Sequence, residues 1–122
     1  MDGILIVDDD REKLGLLRHV LQGEGVNAQY VTSGEEAVQK LMAEPCIELM
    51  VTDFHMPGMD GIELTMLAKE ITPNITVVMM TGDISPDLPG MAAGAGVSKM
   101  LAKPFSPQQL LDIIRGRKHF FM

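Results

Sequence analysis

The chain has 122 residues, 46% of them hydrophobic and 22% charged, with a net charge of −7. That length suits one domain with its own core, and the acidic balance argues against a nucleic-acid-binding surface. A single cysteine excludes an internal disulfide framework and suits a reducing cytoplasm, while no apolar run approaches the ~20 residues of a membrane span.

The N-terminal "MDGILIVDD" has neither the basic region nor the cleavage site of a secretory signal. "GILIVD" (3–8) reads as a buried strand, and a helix follows from about Asp10 to Gly23 with Leu14, Leu17 and Leu21 on one face. "GEG" (23–25) stops it. "VNAQYV" (26–31) is a weaker, alternating strand. The next helix opens at Ser33, an N-cap with Glu36 at capping-box spacing. "CIELMVTD" (46–53) is the third strand, beginning at a Cys46 expected to be buried as a small apolar residue. "HMPGMDG" is a turn-rich loop before a helix over 62–71. "ITVVMMTGD" (75–83) is a long apolar strand. "ISPDLPGMAAGAG" (84–96) predicts a short, poorly formed helix, weakened by its prolines and glycines. "SKMLAKPF" carries a last short strand and a loop. "SPQQLLDIIRGRK" (106–118) is the final helix, with Ser106 as N-cap and Pro107 at its first position. The phenylalanines of "GRKHFFM" either fold back on the core or mark a domain cut from a longer chain.

Five strand–helix units with short connections imply a parallel sheet covered on both faces. Such sheets place ligand sites at the carboxyl ends of their strands. Asp8, Asp9 and Asp10 stand at the first end, Asp53 at the third, Thr81 at the fourth, and the fifth runs into Lys103. Each has a plain alternative. Asp10 suits a helix cap, Asp53 and Thr81 suit turns, and Lys103 suits solvent. Lys13, Lys40 and Lys99 read as surface lysines, and His55 as an exposed loop residue. Together, clustered carboxylates suit a hard cation such as Mg²⁺, and Asp53 beside it is a nucleophile toward phosphorus. Asp8, Asp9 and Asp53 are balanced in charge by Mg²⁺ and Lys103, which favours phosphoryl transfer. Thr81 can donate to a phosphoryl oxygen.

The motifs "ILIVDD", "VTDFHMPGMDG", "VVMMTG" and "AKPF", over about residues 3–116, resemble the receiver domain of two-component response regulators. The resemblance implies a flavodoxin-like (βα)5 fold, a five-stranded parallel sheet in the order 2-1-3-4-5, with the receiver over 1–118 and a tail over 119–122. It implies that Asp53 accepts phosphate from a sensor histidine kinase or phosphotransfer domain. Mg²⁺ would be held by Asp9 and Asp53, with Asp8 and the backbone carbonyl of His55. Lys103 would contact the phosphate ahead of a cis bond to Pro104, and Thr81 would be the switch hydroxyl. Met100 stands where the family has a switching aromatic, so its coupling is expected to differ. The only chemistry would be the chain's own phosphorylation and dephosphorylation. A downstream protein target, no nucleic acid or membrane contact, a cytoplasmic setting, and a monomer or phosphorylation-dependent dimer follow from the same resemblance. A domain excised from a hybrid kinase or multidomain regulator is the alternative. A haloacid-dehalogenase-like phosphatase would use D-x-D at Asp8 and Asp10, but position 12 is Glu and there is no cap domain. A flavodoxin-like cofactor carrier would meet acids where its phosphate loop should be.

Overall fold

A computed structural model describes residues 3–116. The strands are β1 (Ile4–Val7), β2 (Ala28–Val31), β3 (Leu49–Asp53), β4 (Thr76–Thr81) and β5 (Lys99–Ala102). The helices are α1 (Arg11–Gly23), α2 (Gly34–Ala43), α3 (Gly61–Ile71), α4 (Leu88–Ala95) and α5 (Pro107–Arg115). The strands form one sheet in the order β2-β1-β3-β4-β5, every pair parallel. This is the flavodoxin-like order that the motifs imply.

Alternation along the strands divides the core between two faces. Ile4, Ile6, Leu49, Val51, Val78 and Met80 meet Leu14, Leu17 and Leu21 of α1 and Leu110, Leu111 and Ile114 of α5. Leu5, Val7, Met50 and Val77 meet Ala37 and Leu41 of α2 and Leu64 and Ala68 of α3. Burial on both faces is why these strands read as continuous apolar runs. Each fully buried leucine or isoleucine contributes on the order of 1.5–3 kcal/mol.

The helix starts follow side-chain chemistry. The Asp10 carboxylate accepts from the backbone N–H groups of Glu12 and Lys13. Asp60 and Glu63 complete a capping box at α3, and Ser106 and Gln109 complete another at α5. At α2, Ser33 accepts from the Glu36 N–H as expected. The Glu36 carboxylate reaches one residue further back, to the Thr32 hydroxyl at 2.6 Å and the Thr32 N–H at 3.3 Å.

One expectation is corrected here. Cys46 is exposed and precedes the sheet. β3 cannot start until it has a partner. The N–H groups of Glu48 and Leu49 both donate to the Gly3 carbonyl, so the ladder opens at Leu49 beside Ile4. The segment over 84–96 holds the short helix expected there, eight residues without a side-chain hydrogen bond at its start, closed by Gly96 at φ 109°. The residues expected to extend the last helix past Gly116, and the "FFM" end, lie outside the described residues.

Candidate functional site

Parallel strands bring their carboxyl ends to one rim, and the rim collects the acids. Asp8 directly follows β1 and is 1% exposed, while Asp53 ends β3 and is 5% exposed. One carboxylate oxygen each from Asp8, Asp9 and Asp53 lie within 4.8 Å of one another. This is the one group of three potential metal-ligating side chains among the described residues. Asp10 is not in it, because the α1 cap occupies its carboxylate.

Asp8 and Asp53 are held through the backbone. Asp8 Oδ1 accepts from the Asp10 N–H at 3.0 Å. The chain around Asp53 is pinned on both sides. Phe54 N–H donates to the Met80 carbonyl at 2.9 Å, and Gly61 N–H donates to the Phe54 carbonyl at 2.8 Å. Gly61 is required by proximity, since a Cβ there would stand 2.5 Å from the Asp53 carbonyl oxygen.

Two ammonium groups face the acids. Lys103 Nζ donates to Asp53 Oδ1 at 2.7 Å, from a loop that begins with a cis bond to Pro104. Burial opposes the Lys103 charge, but the hydrogen bond and charge of Asp53 outweigh it and hold the ammonium above its ordinary pKa. Lys13 Nζ lies 3.2 Å from Asp8 Oδ2. That contact is an ion pair without hydrogen-bond alignment, so the buried Oδ2 keeps unmatched acceptor capacity. Burial, then the neighbouring Lys103, lowers the Lys13 pKa, and Asp8 only partly offsets this.

Lys13 is thus a correction to its reading as a surface lysine. It sits one turn before the buried Leu17, on the inward shoulder of α1, and that i, i+4 spacing was the available signal. Lys40 and Lys99 do lie at the surface, Lys40 with Glu44 at 3.6 Å.

Thr81 ends β4, 5% exposed. Its Oγ1 accepts from the Asp83 N–H at 2.9 Å, which leaves the hydroxyl hydrogen to donate elsewhere. The His55 side chain points outward, with Nε2 3.7 Å from Asp83 Oδ2. Met100, in β5 beside Met79, is half-buried against a small cluster of Met79, Leu88 and Ala92.

The family model for the response regulator receiver domain matches residues 4–115. The chain belongs to this family. It is a receiver domain of two-component response regulators. It is 33% identical over 114 residues to the response regulator receiver protein CpdR of Brucella abortus, covering 93% of this chain and 94% of that one. It is 36% identical to the transcriptional regulatory protein CpxR of Escherichia coli, covering 95% of this chain but only 49% of that one. Among solved structures, a CheY-like receiver domain protein from Methanospirillum hungatei superposes with a TM-score of 0.89 at 29% identity, covering 97% and 94% of the two chains. A response regulator from Burkholderia pseudomallei, solved with a phosphorylated aspartic acid, a calcium ion and citrate, superposes at 0.80 with 25% identity, covering 89% and 64%. The family assignment removes the phosphatase alternative, and the use of Asp10 as a helix cap is its structural counterpart.

Proposed function

We propose that Asp53 is the phosphoacceptor of this receiver domain, supplied by the phosphohistidine of a sensor histidine kinase or phosphotransfer domain. The observation that carries this reading is the Asp53 carboxylate held at the rim, 2.7 Å from Lys103, with Asp8 and Asp9 beside it. A carboxylate oxygen of Asp53 attacks phosphorus. The P–N bond breaks, its electron pair stays on the imidazole nitrogen, and that nitrogen takes a proton from solvent. Hydrolysis of the acyl phosphate returns the Asp53 carboxylate and inorganic phosphate, so the chain's chemistry is confined to itself.

Asp8, Asp9 and Asp53 form a hard-oxygen donor set, and the underused Asp8 Oδ2 gives it capacity for a cation. These side chains and the His55 backbone carbonyl are proposed to hold Mg²⁺. When bound, Mg²⁺ supplies charge neutralisation for the phosphoryl oxygens. Lys103 moves with its hydrogen bond from the carboxylate to a phosphoryl oxygen. Thr81 donates its free hydroxyl hydrogen to another and draws the β4–α4 loop inward. Met100 and α4 repack in response, and the face of α4, β5 and α5 presents the change to a downstream protein target. The domain is proposed to span 1–118 with a tail over 119–122, to work in the cytoplasm without nucleic acid or membrane contact, and to be a monomer or a phosphorylation-dependent dimer.

The test is intact mass after incubation with acetyl phosphate. One added phosphoryl group is expected with Mg²⁺, none without it, and none in D53N. Wild type that gains no mass in Mg²⁺ and fails to bind beryllofluoride overturns the reading.

A further inference from the structure

Lys13 is a cation inside the site that the proposed phosphoryl chemistry does not use. Its ammonium stands 3.2 Å from an Asp8 carboxylate that is only 1% exposed. Three carboxylates face two ammoniums, Lys13 and Lys103, so the metal-free site carries one unmatched negative charge instead of two. Lys103 is committed to Asp53, which leaves Lys13 as the cation on Asp8. Lys13 is also able to yield. Its stem lines an open groove of about 490 Å³ with Leu16, Leu17 and Pro104, and its ammonium lies 5.1 Å from the centre of the Phe105 ring. That ring face is a ready alternative partner for the charge.

Resting on the reading of the acidic trio as a divalent-cation site, we propose that Lys13 is the resident counter-ion of Asp8 and sets how readily that cation enters. Lys13 compensates Asp8 when the metal is absent and must withdraw toward Phe105 when it arrives. Its presence therefore lowers Mg²⁺ affinity and stabilises the metal-free fold. With the metal in place, the same charge leaves the site with a positive surplus to receive a phosphoryl dianion.

Mg²⁺ titration by calorimetry of wild type, K13M, K13Q and K13R tests this. Even at the dielectric of bulk water, a unit charge a few ångströms from a divalent ion of like sign weakens its binding by on the order of tenfold. K13M and K13Q are expected to bind Mg²⁺ that much more tightly than wild type at low salt, with the gap shrinking as salt screens it. K13R keeps the charge and should bind as wild type does. In chelator, K13Q should melt below wild type, and saturating Mg²⁺ should close the gap. Wild type that binds Mg²⁺ no more weakly than K13M and K13Q, or a K13Q that melts with wild type in chelator, overturns the counter-ion role and leaves the metal site standing. If none of the four proteins binds Mg²⁺, the cation site fails and this role fails with it.

Discussion

Gly61 ties the packing of α3 to the geometry of Asp53, and Gly61→Ala measures that tie. The new Cβ would stand 2.5 Å from the Asp53 carbonyl oxygen, 3.0 Å from Phe54 Cα and 3.2 Å from Met79 Sδ. The first two neighbours are backbone and cannot rotate away. They are also fixed, since the Gly61 N–H holds the Phe54 carbonyl and the Thr52 hydroxyl donates to the Asp53 carbonyl at 3.0 Å. Overpacking of this kind costs about 1–3 kcal/mol. Alanine recovers at most ~1 kcal/mol of helix propensity, and less at a first helical position. The clash wins, by about 1–2 kcal/mol, or a fall of roughly 3–8 °C in melting temperature for a chain of this size. Gly94→Ala is the matched control. Gly94 lies exposed in α4 with nothing within 4 Å of its Cβ direction, so propensity acts alone and stabilises by about 0.4–1 kcal/mol. The assay is thermal unfolding of both variants, followed by acetyl phosphate labelling of G61A, which should slow as the Asp53 backbone is displaced. A G61A protein that melts at or above wild type would refute the argument from close approach.

Other residues give further outcomes. Lys103→Gln strips the 2.7 Å partner from a nearly buried Asp53, and allowing for the partial exposure of Lys103 the loss in metal-free protein is about 1–2 kcal/mol, read by denaturant unfolding. The raised pKa of Lys103 means that its contribution is fully present below the ordinary lysine value of 10.5 and is lost as pH rises through the folded value, so wild type and K103Q should converge only in strong alkali. Ser106→Ala removes the capping oxygen that accepts from Gln109 at 3.2 Å, and should cost about 1 kcal/mol of stability by thermal unfolding. The Thr32 hydroxyl is the main cause holding the Glu36 carboxyl below its ordinary pKa, so Thr32→Val should raise that pKa in an NMR titration. A depressed carboxyl stabilises above its unfolded pKa and loses that effect as pH falls through the folded one, so T32V should lose less stability than wild type over that acid range.

How much of this was legible depended on what fixes each residue. Asp8, Asp53, Thr81 and Lys103 were found together in the sequence because parallel strands with short connections must end at one rim, whatever the details of packing. Asp10 and Ser106 were legible because capping is local chemistry. Cys46 was misplaced because a strand's start depends on its neighbour. The run from Cys46 to Asp53 is apolar enough to be strand throughout, yet the ladder waits for Gly3 and Ile4. Lys13 was misread because its direction depends on how α1 docks on the sheet, a tertiary fact. The Glu36 carboxylate went to Thr32 for a related reason, as two hydroxyl donors one residue apart differ only in local geometry.

The path from the site to the proposed output face runs through the weakest helix. α4 has eight residues, no side-chain hydrogen bond at its start, and only Leu88 and Ala92 buried. The missing cap leaves it about 1 kcal/mol short, and the helical glycines Gly90 and Gly94 cost a further ~1 kcal/mol each relative to alanine. α5 has nine residues but a complete capping box and three buried anchors, Leu110, Leu111 and Ile114. Helices of nearly equal length should therefore open with very different free energies. Native-state hydrogen exchange should show α4 amides exchanging at least tenfold faster than those of α5, and G94A should slow α4 while leaving α5 unchanged. The consequence is mechanical. In the proposed switch Thr81 has little work to do when α4 is already loosely held, and a flexible Met100 would follow the helix where a rigid ring would have to flip. Equal protection of α4 and α5 would sink this account, because the proposed movement of Thr81 would then have to repack a helix as firmly seated as α5.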